Sequence, residues 1–358
     1  MERKIGLLLV NLGTPDSTEV RDVRRYLREF LMDPKVINLP VVFRAMLVYG
    51  IILPFRPKKS AAAYKEVWTP EGSPLLVHGQ DLKTKLIPQL GDEICVELAM
   101  RYGNPSLEKG IESLLSQGVE RIVVFPLYPQ YAAATTGSTV EKVFDILAKR
   151  WNVPPVTIAS DYFDHPLFID AFAKVAKPQI DEFKPDHVLL SYHGLPESHV
   201  ANTDEGPCSY LKGGNCCDMI TAKNRYCYRA QCFATSRALA EALGLKADKH
   251  TVAFQSRLGR AEWIKPYTAD KVKELADRGV KRLAVMCPAF VADCLETLEE
   301  IGMGIREDFK SYGGEDLRLV TSLNSEVVWV QAVTEICRGY FGPQSSSLEP
   351  QLSTSQVH

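Results

Sequence analysis

Four stretches of this sequence hold side chains that do chemistry. Ser191-Tyr192-His193-Gly194-Leu195-Pro196 puts an imidazole where an apolar strand starting at His187 runs into a turn forced by Gly194 and Pro196. A histidine there is either a base or metal ligand working near neutral pH, or a cap that bonds a loop carbonyl. Past Cys287-Pro288, the residues Asp293, Glu296 and Glu300 stand at i, i+3 and i+7. On a helix starting near Asp293 that spacing aligns three carboxylates, either as an acidic line at a site or as a solvated face favoured by the helix dipole. The segment from Gln255 to Thr268 carries Arg257, Arg260, Trp263, Lys265 and Tyr267 among glycine and proline. Such a loop suits a flat or acidic ligand, although Trp263 serves equally well as a core anchor. Last, Cys208, Cys216, Cys217, Cys227 and Cys232 are five of the nine cysteines, gathered in one stretch. In a reducing compartment such clustering points to a metal, either a [2Fe–2S] cluster on four thiolates or zinc in a Cys₄ site. The absence of paired CxxC knuckles favours the cluster, with Cys208, Cys217, Cys227 and Cys232 as ligands and Cys216 as the alternate to Cys217.

These groups need elements to hold them. Short apolar runs at Ile5–Asn11, Cys95–Ala99, Arg121–Phe125 and Val156–Ala159 read as buried strands. Between them Ser17–Met32, Ser106–Gln117 and Gly137–Arg150 have helical periodicity, with Ser106 as a plausible cap. The second half echoes the first. Gly118-Val119-Glu120-Arg121-Ile122 returns as Gly279-Val280-Lys281-Arg282-Leu283, and Leu12-Gly13-Thr14-Pro15 as His193-Gly194-Leu195-Pro196. Strand–helix alternation predicts two similar Rossmann-like α/β halves, each doubly wound on a mostly parallel four-stranded sheet. Their boundaries fall at 1–165 and 166–340, with a cysteine-rich insertion at 205–232 and a disordered tail at 341–358. Ligands of such sheets bind outside the carboxyl ends of the strands, which is where His193 lies.

Composition narrows the partners. With 42 Lys+Arg against 44 Asp+Glu the chain is slightly acidic, which excludes a nucleic-acid binder working by excess positive charge. The most apolar stretch, from Val36 to Phe55, is broken by Asn38, Pro40, Arg44 and Gly50, so it predicts no membrane span. No leader is evident at the N-terminus, which predicts a cytoplasmic, bacterial protein.

Taken together the blocks resemble the ferrochelatases, over about Lys4 to Tyr340. The likeness rests on Val10-Asn11-Leu12-Gly13-Thr14-Pro15, on Tyr128-Pro129-Gln130-Tyr131 with Thr135-Thr136-Gly137-Ser138, and on the His193, Gln255 and Glu296 blocks, in that order. The resemblance implies a lyase that inserts Fe²⁺ into protoporphyrin IX to make protohaem with release of two protons. It implies His193 as metal contact and proton acceptor, Glu296 as the acid opposite it, and Asp293 and Glu300 as a relay for protons or metal. By position Leu12, Arg101, Tyr102, Tyr128 and Trp263 would line the porphyrin cleft, with Arg56 and Lys59 near its mouth. The 36–55 segment would form an apolar lip in peripheral contact with a membrane. Coproporphyrin insertion, another tetrapyrrole chelatase, and a non-catalytic haem- or cluster-binding regulator are the alternatives; the intact His193 and Glu296 pair disfavours the last. The chain departs from many relatives in having Cys294 in place of a histidine. It also has Ala133 where animal relatives place an internal cluster ligand, so a cluster here would be built differently.

Overall fold

The computed structural model describes residues 4–203, 214–257, 259 and 261–342. Two sheets of four strands follow one another along the chain, and every strand pairing is parallel. The first half comprises β1 (Ile5–Thr14), α1 (Val20–Leu31), α2 (Val41–Leu47), α3 (Leu53–Val67), α4 (Pro74–Leu90), β2 (Ile94–Gly103), α5 (Leu107–Ser116), β3 (Arg121–Pro126), α6 (Ser138–Leu147) and β4 (Val156–Ile158). The second comprises α7 (Pro166–Phe183), β5 (His187–His193), α8 (Glu197–Thr203), α9 (Tyr228–Leu243), β6 (His250–Gln255), α10 (Thr268–Asp277), β7 (Arg282–Met286), α11 (Arg306–Ser311), β8 (Asp316–Leu319) and α12 (Val327–Phe341). The strand orders, β2-β1-β3-β4 and β6-β5-β7-β8, are the same topology written twice. The repeated motifs therefore mark equivalent turns in two copies of one plan.

The strands read as continuous apolar runs because helices cover both faces of each sheet. Leu7, Leu8, Leu9 and Val10 of β1 are all fully buried, with alternate residues facing different helices. The two sheets share a core. Leu7 and Leu9 of β1 belong to the same buried cluster as Val188 and Leu190 of β5, and Trp329 of α12 joins them. Helix α12 runs back against α4 and β3 of the first half. Ser106 caps α5 as its position predicts, accepting from the Lys109 amide at 3.3 Å.

Three features depart from the sequence expectations. After β7 the helix is a π-helix, Glu296–Ile305, rather than an α-helix starting near Asp293. Asp293 is drawn out of it by bonds from Thr297, Ser322 and Asn324, and Gly302 and Gly304 weaken α-helical preference within it. A second π-turn, Ala133–Gly137, precedes α6. A third, Val48–Ile52, joins α2 to α3, so 36–55 is a bent helical arm. That arm is apolar and outward-facing: Val41, Val42, Phe43, Met46, Tyr49, Ile51 and Phe55 are each more than half exposed. Among the described residues no helix is long and apolar enough to cross a membrane. The 341–358 tail, apart from Phe341 closing α12 and Gly342, lies outside the described residues.

One glycine fixes the end of β1. Gly13 has φ +125°, and a Cβ there would lie 1.9 Å from the carbonyl oxygen of Tyr102 on the neighbouring strand. Gly13→Ala should therefore destabilise the fold by about 3 kcal/mol or more. Denaturant unfolding of the two proteins checks this, and an unchanged midpoint would show that the strand end tolerates a side chain.

Candidate active site

His193 ends β5 and is half-buried. Its Nδ1 lies 2.6 Å from the carbonyl oxygen of Gly194. A carbonyl only accepts, so Nδ1 carries a proton, and in the neutral ring the lone pair is then on Nε2. The capping bond is made by Nδ1 and leaves the other ring nitrogen out of it. Trp263 and Phe290 flank the ring, each with its centroid 6.3 Å away. Trp263 is nearly buried and packs against Gly194, where an added Cβ would meet the indole at 3.1 Å.

Gln255 joins the strand that ends in His193 to the helix that carries the carboxylates. The residue ends β6 directly beside His193 in the register, and its carbonyl accepts from the Gly194 amide at 2.8 Å. Its buried side chain accepts from Ser191 Oγ at 2.7 Å and donates to the carbonyl of Glu296 at 2.8 Å, with Glu300 Oε2 at 3.4 Å. Glu300 is held next door. Ser256 donates to it through its backbone N–H at 2.7 Å and its hydroxyl at 2.5 Å. Ser256 adopts φ +66°, a left-handed conformation unusual for serine, to make both bonds. Burial raises the Glu300 pKa and the nearby Glu296 charge raises it further, while Ser256 and the His193 imidazole act against the rise. His193, Glu296 and Glu300 therefore form one electrostatic group. Asp293 is buried and engaged with Thr297 Oγ1 at 3.0 Å and Asn324 Nδ2 at 2.8 Å, anchoring the start of the π-helix. Its electrostatic neighbour across the halves is His78 of α4, whose pKa is lowered by burial against the pull of Asp293.

The first half supplies the facing wall. The Glu296 carboxylate stands beside the buried Cys294 thiol, whose pKa burial and that carboxylate both raise. It also lies close enough to raise the pKa of the buried tyrosines 26 and 64, after desolvation. Leu295 packs into the apolar cluster of α1 and α3 that also takes in Leu12. Tyr102 is fully buried, and its hydroxyl donates to Asp33 at 2.9 Å. Arg101 pairs with the same carboxylate at 2.6 Å and lies over the Tyr102 ring. These two residues are committed to Asp33, a junction that composition and spacing did not signal. Tyr128 is buried nearby, within the field of Arg101. Arg56 is half-buried and Lys59 exposed, both on α3. Tyr26, Tyr64 and the bridging role of Gln255 were likewise not foreseen; nothing in their spacing marks them.

The thiols are less organised. Cys208 lies outside the described residues. Cys216 Sγ is 4.0 Å from Cys217 Sγ, and Arg229 donates to Cys217 Sγ at 2.9 Å. A hydrogen bond with Cys227, then burial, pushes the Cys217 thiol up. Cys232 is buried at the base of α9. Among the described residues no three His, Cys, Asp or Glu side chains are gathered closely enough to hold a metal. The described members of the expected ligand set, Cys217, Cys227 and Cys232, are therefore not gathered into a metal site, and Cys208 lies outside the described residues.

The family model described as Ferrochelatase matches residues 4–340. A protein of Coxiella burnetii (strain Dugway 5J108-111) named Ferrochelatase is 46% identical over 335 residues, covering 94% of this chain and 93% of that protein. One of Legionella pneumophila (strain Lens), also named Ferrochelatase, is 47% identical over 337 residues, covering 94% and 99%. Among solved structures, SirB from Bacillus subtilis with Fe³⁺ aligns over 94% of each chain at 13% identity and a TM-score of 0.47, a likeness on which nothing below rests.

Ser256→Ala removes the hydroxyl donor to Glu300 and keeps the N–H. Losing one donor to a carboxylate should raise the Glu300 pKa further. An infrared pH titration, with Glu300→Gln to assign the band, reads that shift; an unmoved titration would detach the hydroxyl from the carboxylate.

Proposed function

The chain belongs to the ferrochelatase family, and from that premise we propose how its residues insert Fe²⁺ into protoporphyrin IX. As a ferrochelatase it is a lyase, and its substrates are a porphyrin and Fe²⁺. A free-base porphyrin holds two pyrrole N–H protons that must leave before a divalent ion sits among its four nitrogens. The proton acceptor in this reading is His193 Nε2, and the observation that carries it is the Nδ1–H bond to Gly194, which leaves Nε2 with a lone pair. A positioned base of this kind contributes roughly 10²–10⁴-fold.

Glu296 supplies hard oxygen across from the borderline imidazole nitrogen, a mixed set that holds Fe²⁺ weakly enough to release it. Glu300 accepts protons passed on from the site. Its burial supports that role, since a carboxyl with a raised pKa is a better proton acceptor than an ordinary one. Asp293 fixes the start of the helix that carries both. Trp263 and Leu12 would form apolar walls of the cleft, with Tyr128, Tyr102 and Arg101 behind them and Arg56 nearer the mouth. The division at 165/166 assigns one sheet to each wall.

The exposed arm at 36–55 would cover the porphyrin and rest on a bilayer, into which so apolar a substrate partitions. In this reading the enzyme works at the cytoplasmic side of a membrane, and the apolar arm supports protoporphyrin over the more polar coproporphyrin. A [2Fe–2S] cluster on Cys208, Cys217, Cys227 and Cys232 stays a proposal of this reading. Its support is the concentration of thiols, with Cys227 and the Arg229 cation on Cys217. The thiols as placed do not form its ligand set, so no step of metal insertion passes through it.

His193→Ala should cut metal insertion by at least ~10²-fold while the protein stays folded. Anaerobic incubation with protoporphyrin and Fe²⁺, followed by porphyrin absorbance, measures this, and an undiminished rate would remove the imidazole from the mechanism. Coproporphyrin run in parallel should turn over more slowly. Protein purified with its visible absorbance, iron and sulfide measured should show cluster bands; a colourless protein ends the cluster proposal.

A further inference from the structure

Helix α1 carries Arg21, Arg24, Arg25 and Arg28 on its outer side, all exposed. The spacing i, i+3, i+4 and i+7 sets them on one helical face. They line an open depression of about 530 Å³ whose floor is Tyr49, Leu53 and Pro54, at the join between the π-turn Val48–Ile52 and α3. Arg25 is already paired with Asp16 and, at 3.0 Å, with Asp22. Arg24 donates its Nε–H to the carbonyl of Leu53 at 3.3 Å, which points its guanidinium over that floor and leaves its terminal N–H groups for a ligand. Arg21 and Arg28 form no ion pair with a carboxylate of the described residues.

We propose that Arg21, Arg24 and Arg28 form a headgroup site for an anionic phospholipid, beside the apolar arm whose acyl-facing side chains enter the same leaflet. The proposal rests on the membrane reading of that arm and names the lipid class it selects. Three arguments support it. The chain as a whole carries two more acidic than basic residues, so a row of unneutralised arginines on one face is local and not a consequence of net charge. Guanidinium offers paired N–H donors that match phosphate oxygens, unlike a lysine point charge. The depression is continuous with the outward apolar surface through Tyr49, which lines the one and belongs to the other. An aromatic with a polar tip is suited to the headgroup level. A phosphodiester in the depression would meet guanidinium on one side, while Phe43, Met46, Ile51 and Phe55 sit among the chains.

Flotation of the full chain with vesicles of phosphatidylcholine, alone or with about 30% phosphatidylglycerol, tests this. The expected result is at least ~10-fold tighter binding to the anionic vesicles, lost in Arg21→Gln/Arg24→Gln/Arg28→Gln but kept in a control with the same charge loss, Lys174→Gln/Lys177→Gln/Lys273→Gln. The arginine variant should keep the weaker binding to neutral vesicles and its rate of porphyrin metallation in detergent, which shows it folded. Equal binding to both vesicles by the unaltered chain, or equal loss in the lysine control, overturns the headgroup site and leaves the membrane reading of the arm standing. Flotation with neither vesicle overturns both. Val42→Ser/Phe43→Ser/Met46→Ser separates the two further: it should abolish binding to neutral vesicles, and unchanged binding there would remove the arm while leaving any anionic preference to the arginines.

Discussion

The side-chain amide of Gln255 ties the site together. It is buried at the carboxyl end of β6, accepts from Ser191 on β5 and donates to the backbone of Glu296, with Glu300 within longer reach. A buried amide costs free energy unless its donors and acceptor are used, and here they are used on the elements that carry the imidazole and the carboxylates. Strand register sets Gln255 beside His193, so satisfying this one side chain also fixes where the π-helix begins relative to the imidazole. His193, Glu296 and Glu300 themselves are left half-buried.

From that bridge outward, polar groups commit to one partner so that another atom stays available. His193 gives Nδ1–H to Gly194 and keeps Nε2. Ser256 accepts a left-handed backbone to hold Glu300, whose raised pKa reflects burial near Glu296. On the facing side, the buried Tyr26 and Tyr64 lie within the field of the Glu296 carboxylate. At the rim, the arm at 36–55 exposes apolar side chains that a free soluble surface would bury, and the arginines of α1 stand where that surface ends.

How much of this was legible in the sequence varies with its physical origin. Burial on both faces writes itself as an apolar run, so the strands and the duplicated plan could be read directly. The glycine–proline turn after β5 marked the carboxyl end of the strand on which His193 sits. The helix type after β7 was not legible, because the groups that hold Asp293 outside the π-helix, Ser322 and Asn324, lie far away in sequence. The bridging role of Gln255 and the approach of Tyr26 and Tyr64 to Glu296 are tertiary contacts with no local signature. The cysteine stretch shows the opposite failure: a strong compositional signal whose ligand geometry spacing alone did not determine.

The central claim is that the imidazole of residue 193 and the carboxylate of residue 296 share one small space in which a divalent ion fits. Anomalous diffraction from crystals of the protein soaked anaerobically with Fe²⁺ tests it most directly. The account predicts an ion about 2.2 Å from both His193 Nε2 and a Glu296 carboxylate oxygen. An ion bound by other side chains, with these two pointing elsewhere, would contradict it.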